Sequence, residues 1–133
     1  MNKIIIDGKN AILGRLASYT AKQLLLGKEI VIVNCNDIVI SGKPVSTINT
    51  YRDKREKGGA NFKGPYFPKS PEKIIKRTIR GMLSHRQKRG RDSLKRVICY
   101  NEVPLEYENV KKTVSGKEKK IKTIKLGELS RDI

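Results

Sequence analysis

Three short blocks at the start of the chain constrain its fold more than any other feature. Ile4-Ile5-Ile6 is a continuous apolar run closed by Asp7-Gly8, the pattern of a buried strand ending in a turn. Leu13, Leu16, Ala17, Thr20, Ala21, Leu24 and Leu25 then recur at helical spacing, with Arg15, Ser18, Lys22 and Gln23 on the opposite side. Asn10 is placed to cap this helix and Gly27 to stop it. Glu29–Val33 is rich in β-branched residues and reads as a second buried strand. Strand, helix and strand at this spacing make a βαβ unit. Such a unit predicts two parallel strands joined by a right-handed crossover, hence an α/β fold.

The rest of the chain extends this pattern. Ile38–Ile40 is a further apolar run. Pro44 suits the first turn of a second helix, with Val45, Ile48 and Tyr51 or Arg52 at helical spacing. Gly58–Pro68 holds three Gly, two Pro and the aromatics Phe62, Tyr66 and Phe67, and reads as an extended loop. Ser70-Pro71-Glu72 marks a helix start: an N-cap Ser, Pro at the first helical position and an acid in the first turn. Ile74, Ile75, Thr78, Ile79, Met82 and Leu83 form its apolar face, with Lys73, Lys76, Arg77 and Arg80 on the other side. His85–Arg96 has little apolar content and reads as an irregular basic arm. Val97–Tyr100 is another buried strand, Ser115–Lys122 a polar hairpin or loop, and Ile121–Leu126 a last strand. A length of 133 residues suits one domain, 1–133.

Charge is unevenly spread along this frame. Residues 51–96 hold sixteen Lys or Arg against four Asp or Glu, which is +12 of the formal +17. A like-charged band this dense opposes compaction unless a polyanion neutralises it. Gly58–Pro68 and His85–Arg96 are therefore expected to be disordered without a partner.

Several chemistries are disfavoured. Gly8 and Gly14 have no glycine between them, so the dinucleotide fingerprint is missing, and Ser41-Gly42-Lys43 lacks the upstream glycine of a phosphate loop. The single His, His85, lies in a basic segment, and no Ser stands in a nucleophile elbow. Glu106 and Glu108 fit a solvated face better than an acid–base pair. Cys35 and Cys99 sit in apolar runs and read as reduced core thiols, and with His85 they do not match a zinc pattern. No metal or cofactor is expected. No run reaches the ~18 apolar residues of a membrane span, and residues 1–9 do not read as a signal peptide. A soluble cytoplasmic protein is the expectation.

RNA fits the band better than DNA. No helix-turn-helix, zinc finger or basic zipper is present, whereas basic segments rich in Gly and Pro suit a folded RNA met by shape. Phe62, Tyr66 and Phe67 either stack on unpaired bases or pack beneath their loop. Gly58-Gly59, Gly64 and Gly90 permit close backbone approach.

Gly14-Arg15-Leu16-Ala17-Ser18, Ile38-Val39-Ile40-Ser41-Gly42-Lys43, Pro71-Glu72, Gly81-Met82-Leu83, Gly90-Arg91 and Lys95–Tyr100 occur in an order and spacing that resemble one family. It is the universal large-ribosomal-subunit protein family L-thirteen, in its shorter archaeal and eukaryotic form. The resemblance spans nearly the whole chain. It implies a three-layer α/β/α domain with a roughly four-stranded, mainly parallel sheet. It also implies a structural, non-enzymatic role: binding large-subunit ribosomal RNA beside neighbouring ribosomal proteins, early in subunit assembly. Ser84-His85 stands where the family usually has Pro and basic residues, so His85 inherits no role. The long C-terminal extension of eukaryotic members has no counterpart here.

The residues expected to meet phosphate are Arg77, Arg80, Arg86, Lys88, Arg89 and Arg91, then Arg52, Lys54, Arg55 and Lys57, with Lys63, Lys73, Lys76, Lys95 and Arg96 in the same band. Arg15 and Lys43 are secondary, because each follows a helix-start motif. Two other readings stay open: a nucleotide-binding or nucleic-acid-modifying enzyme on a doubly wound sheet, and an RNA-binding regulator acting off the ribosome.

Overall fold

The computed structural model describes residues 3–56, 68–109, 112–114 and 122–133. Its elements, in chain order, are β1 (Lys3–Asp7), α1 (Leu13–Leu25), β2 (Glu29–Val33), β3 (Val39–Ser41), α2 (Pro44–Glu56), α3 (Pro71–Met82), α4 (Lys88–Leu94), β4 (Val97–Cys99), β5 (Thr113–Val114), β6 (Thr123–Lys125) and α5 (Leu126–Asp132). The expected βαβ unit is present, with Ile4 opposite Ile30 and Ile6 opposite Ile32 in parallel register. β4 joins the far side of β2 and β5 the far side of β1, so the main sheet is parallel throughout in the order β4-β2-β1-β5. The chain is of the α/β class.

The order of the strands explains the layers. The steps from β1 to β2 and from β2 to β4 go the same way, so crossovers of one hand put α1 and α3 on one face. There Leu16, Ala17 and Leu24 of α1 and Ile74, Ile75 and Ile79 of α3 bury Ile6, Ile30 and Ile32. The connection from β4 to β5 runs back across the sheet and lies on the other face. Among the described residues that face carries a 3-10 turn, Leu105–Tyr107, where the resemblance implied a helical layer. Tyr107 covers Ile5, Val31 and Val33, and its hydroxyl accepts a hydrogen bond from the Lys3 ammonium at 2.8 Å.

β3 is not a strand of the main sheet. It pairs antiparallel with β6, Ile40 opposite Ile124, and α2 and α5 pack beside this small sheet. Gly27 stops α1 as expected. At φ +90° its N–H bonds Leu24 and the next N–H, of Lys28, bonds Gln23, which together close a Schellman motif. Asn10 does not cap α1. It lies in the left-handed region at φ +61°, and Ile12 precedes the helix without a side-chain cap. Asn tolerates this conformation, and the turn it makes sends its N–H to the Asp37 carbonyl.

Two residues placed on apolar faces are exposed. Leu25 is 59% exposed because Leu24, one step round the helix, already points at the core. Met82 is 45% exposed, and Leu83 is buried in its place. α3 ends at Met82, and Leu83 takes extended dihedrals that turn its side chain inward.

His85–Arg96 is not an irregular arm: it contains α4. Its anchors are small residues. A Cβ on Gly90 would lie 2.0 Å from the Ser84 carbonyl oxygen, so the helix backbone rests directly on the preceding turn. Ser93 is buried and its hydroxyl donates to the Arg89 carbonyl, while Leu94 packs half-buried on the core. Residues 57–67, with nearly all of the expected Gly58–Pro68 loop and its three aromatics, lie outside the described residues. Among the described residues no helix is long and apolar enough to cross a membrane.

Candidate nucleic-acid interface

The site is built on α3. Ile74, Ile75 and Ile79 are fully buried and fix the rotation of the helix about its axis. The Ser70 carbonyl accepts bonds from the N–H groups of Lys73 and Ile74, both at 3.0 Å. The Ser70 side chain makes no capping bond. Asn101, just beyond β4, does so instead: its side-chain oxygen accepts the Glu72 N–H at 3.1 Å. With rotation and start fixed, Lys73, Lys76, Arg77 and Arg80 stand exposed along one side. All four line a groove of about 270 Å³ whose remaining walls are Pro68 and Leu94. Four cations around a small apolar floor suit a phosphodiester chain with its sugars or bases turned inward.

Tyr51 links α2 to this ridge. It is half-buried against the core. Burial pushes its phenol up, and the Arg77 guanidinium nearby pulls it part of the way back. The Lys54 ammonium lies 5.1 Å from the centre of the same ring. Tyr51 thus takes up Lys54 of its own helix and feels the charge of Arg77 on α3. Arg52 is also exposed, but it donates to the Asp132 carbonyl at the end of α5, which ties α2 to the C-terminal helix. Arg55 falls in the last turn of α2. Lys57 and Lys63 lie outside the described residues.

α4 supplies the third group. Arg86, Lys88, Arg89, Arg91 and Lys95 are exposed, and Arg91 donates to the Arg86 carbonyl at 2.9 Å, which braces the turn before the helix. His85 Nδ1 lies 3.2 Å from the Arg80 carbonyl. That oxygen only accepts, so the bond forms when this nitrogen carries the proton. Arg96 departs from the expectation of an outward cation. It is half-buried, and its guanidinium donates to the Leu24 carbonyl at the end of α1 and to the Ser93 hydroxyl. Its role is to clamp α4 to α1. Arg15 and Lys43 are exposed, and neither lines the α3 groove.

Other chemistries find no frame here. A phosphate on a βαβ unit would approach the turn after β1. Gly8 of that turn is buried, donates to the Val33 carbonyl, and would bring a Cβ within 2.8 Å of Ile38. The space is filled by protein. Among the described residues no group of His, Cys, Asp and Glu is arranged to hold a metal ion. Cys35 and Cys99 are both free thiols. Contact with Cys99, then burial, pushes the Cys35 thiol up, as suits an inert core residue.

The family model described as "Ribosomal protein L13" matches residues 1–106. A protein of Methanosarcina barkeri named large ribosomal subunit protein uL13 is 48% identical over 132 residues, covering 95% of this chain and 94% of its own length. The protein of that name from Methanocaldococcus jannaschii is 45% identical, covering 97% and 96%. That from Methanococcoides burtonii is 42% identical, also covering 97% and 96%. The family model spans most of the chain and the relatives match it over nearly their whole length; the chain belongs to the ribosomal protein L13 family.

Proposed function

We propose that this chain is a structural, non-catalytic component of the large ribosomal subunit, acting in the cytoplasm and joining the particle early in its assembly. It binds the ribosomal RNA of that subunit chiefly through Lys73, Lys76, Arg77 and Arg80. Lys54, Arg86 in the turn before α4 and the exposed α4 cations Lys88, Arg89 and Arg91 flank them, and Arg15 and Lys43 are outlying contacts. Family membership supports the setting. The observation that carries the mechanism is the α3 groove, where four cations are held by a helix whose other side is fully buried. Cations fixed before RNA arrives lose less conformational freedom on binding than cations on a loose arm.

Salt titration of binding to large-subunit RNA tests this. Each phosphate contact adds roughly 0.7–0.9 to the slope of log affinity against log salt. Changing Lys73, Lys76, Arg77 and Arg80 together to Ala should flatten the slope by about 3 units. The same number of changes at Lys9, Lys22, Lys28 and Arg131 should flatten it far less. Equal effects from both sets would reduce the binding to bulk charge. Sedimentation only in free fractions, never with large subunits, would refute the ribosomal setting itself.

A further inference from the structure

One face of the molecule is unlike the rest. Residues 97–109 contain three acidic residues and no Lys or Arg, in a chain with thirty basic residues. The fold places this segment along β4 and across the sheet face opposite α1 and α3. Ile98 pairs with Val31, which pairs with Ile5, so the three side chains form one row on that face. Tyr107 covers Ile5 and Val31, which are 9% and 1% exposed, but Ile98 is 48% exposed. Leu105, at the start of the 3-10 turn, is 88% exposed. A cavity of about 440 Å³ opens at the end of β4, with Tyr100, Val103 and Pro104 in its walls and Glu102 at its rim. Glu106 and Glu108 are also exposed. Two described cations are bonded to this segment: Lys3 donates to the Tyr107 hydroxyl, and Lys112 to the Glu108 carbonyl.

RNA does not fit this surface. Its phosphates would face Glu102, Glu106 and Glu108, and like charges brought together cost several kcal/mol. Leu105 and Ile98 offer no aromatic plane for a base. An apolar strip bordered by carboxylates is instead complementary to a polypeptide with aliphatic and cationic side chains. Lys and Arg meet both demands at once, laying their stems on Leu105 and Ile98 and carrying their charges to the glutamates. β4 is one of the two edge strands of the main sheet among the described residues, so an extended partner can run beside it. We infer that this sheet face is a protein-docking surface whose occupant is an extended Lys/Arg-rich segment of a neighbouring large-subunit protein. The inference rests on the ribosomal setting proposed above. It makes the molecule two-sided, with RNA on the α2–α3–α4 side and a basic polypeptide on the other.

Photo-crosslinking in assembled large subunits tests it. A diazirine-bearing residue is placed at Leu105 in one variant and at Lys76 in another. Leu105 is almost fully exposed, so its replacement leaves the core intact. Position 105 should label a Lys/Arg-rich segment of another protein of the subunit, identified at residue level by mass spectrometry. That adduct should fall at least about tenfold when Glu102, Glu106 and Glu108 are changed to Lys. Labelling of RNA from position 105, of this chain itself, of a partner segment without Lys or Arg, or of nothing would overturn the inference. Position 76 keeps the two readings apart: it should label RNA whatever position 105 does. Absence of both variants from large subunits would defeat the ribosomal setting and this inference with it.

Discussion

Gly90→Ala and Gly81→Ala are the same chemical change in two helices, and the structure gives them opposite signs. Both glycines are helical, so intrinsic propensity alone favours Ala by about 1 kcal/mol at each. Gly81 lies near the end of α3 with nothing within 4 Å of an added Cβ. The gain should be realised there, raising the melting temperature by about 3–4 °C for a domain of this size. At Gly90 the added carbon would meet the Ser84 carbonyl oxygen at 2.0 Å, its carbon at 2.3 Å and the His85 nitrogen at 2.9 Å. Ordinary carbon–oxygen contacts lie near 3.3 Å, so α4 must retreat from the turn by roughly 1.3 Å. All three obstacles are backbone, and no rotamer change relieves them.

Overpacking of this kind costs about 3 kcal/mol at its upper range, which leaves a net loss of about 2 after the propensity gain. The alternative is for α4 to let go of Ser84, which would release Ser93, Leu94 and the Arg96 clamp. Thermal unfolding followed by circular dichroism should show Gly90→Ala melting about 6–8 °C lower. Hydrogen exchange should accelerate across Lys88–Leu94. RNA affinity should also weaken although no charge has changed, because the α4 cations lose their placement. If Gly90→Ala melts higher, as Gly81→Ala should, the close approach at Ser84 does not exist and α4 is not seated as described.

Three further outcomes test the framework around the site. Asn101→Ala removes the cap on the Glu72 N–H and should cost about 1 kcal/mol, with faster exchange in the first turn of α3; unchanged exchange at Glu72 would show that Asn101 does not cap it. Thr20 is fully buried and its hydroxyl finds no hydrogen-bond partner, so Thr20→Val should stabilise the protein by about 1 kcal/mol, and a loss of similar size would mean that the hydroxyl is bonded after all. Cys35 is buried and its thiol is pushed up, so it stays protonated through the neutral and mildly alkaline range. Native alkylation at pH 8 should modify at most Cys99, with Cys35 reacting only on unfolding; modification of Cys35 in the folded state is the contrary result.

The parts of the fold that were legible in the sequence are those set by local periodicity. Leu13 to Leu24 and Ile74 to Ile79 repeat at helical spacing, and the Ile and Val runs beside them have no polar alternation, so α1, α3, β1, β2 and β4 follow directly, whereas the two-residue β5 has no such run to announce it. Periodicity identifies a face but not where it stops, which is why Leu25 and Met82 were placed inside. β3 reads as a buried strand, but nothing in Val39–Ser41 says that it pairs with β6, eighty residues on, and not with β2. α4 was illegible for a different reason. Apolar content does not measure the anchoring here, because α4 is held by a glycine against a carbonyl, a buried serine and one arginine. α5 has only Leu126 and Leu129 to announce it, and those two fit the end of a strand equally well. Within the site, the α3 ridge was legible because the apolar stripe dictates which residues lie opposite. The inward roles of Arg96 and Arg52 were not, because their acceptors are carbonyls 72 and 80 residues away in sequence.

The same contacts explain how so dense a band of charge can sit on an ordered surface. Like charges at helical spacing repel one another, and residues 51–96 carry sixteen cations. The fold places ten of them on three helices, each attached to the core by something other than charge. α3 is held by three buried isoleucines and capped from β4. α2 is attached through half-buried Ile48 and Tyr51, and Lys54 lies with part of its charge against the Tyr51 ring. α4 rests on Ser84 through Gly90, and its neighbour Arg96 is turned into the structure, where its charge meets carbonyl and hydroxyl oxygens. Two arginines of the band therefore serve the fold: Arg52 ties α2 to α5 and Arg96 ties α4 to α1, so the cations of α4 keep their places through a tie made by one of their neighbours. Removing Arg96 and removing Arg80 delete the same charge, but the first loosens the platform and the second empties one place on it.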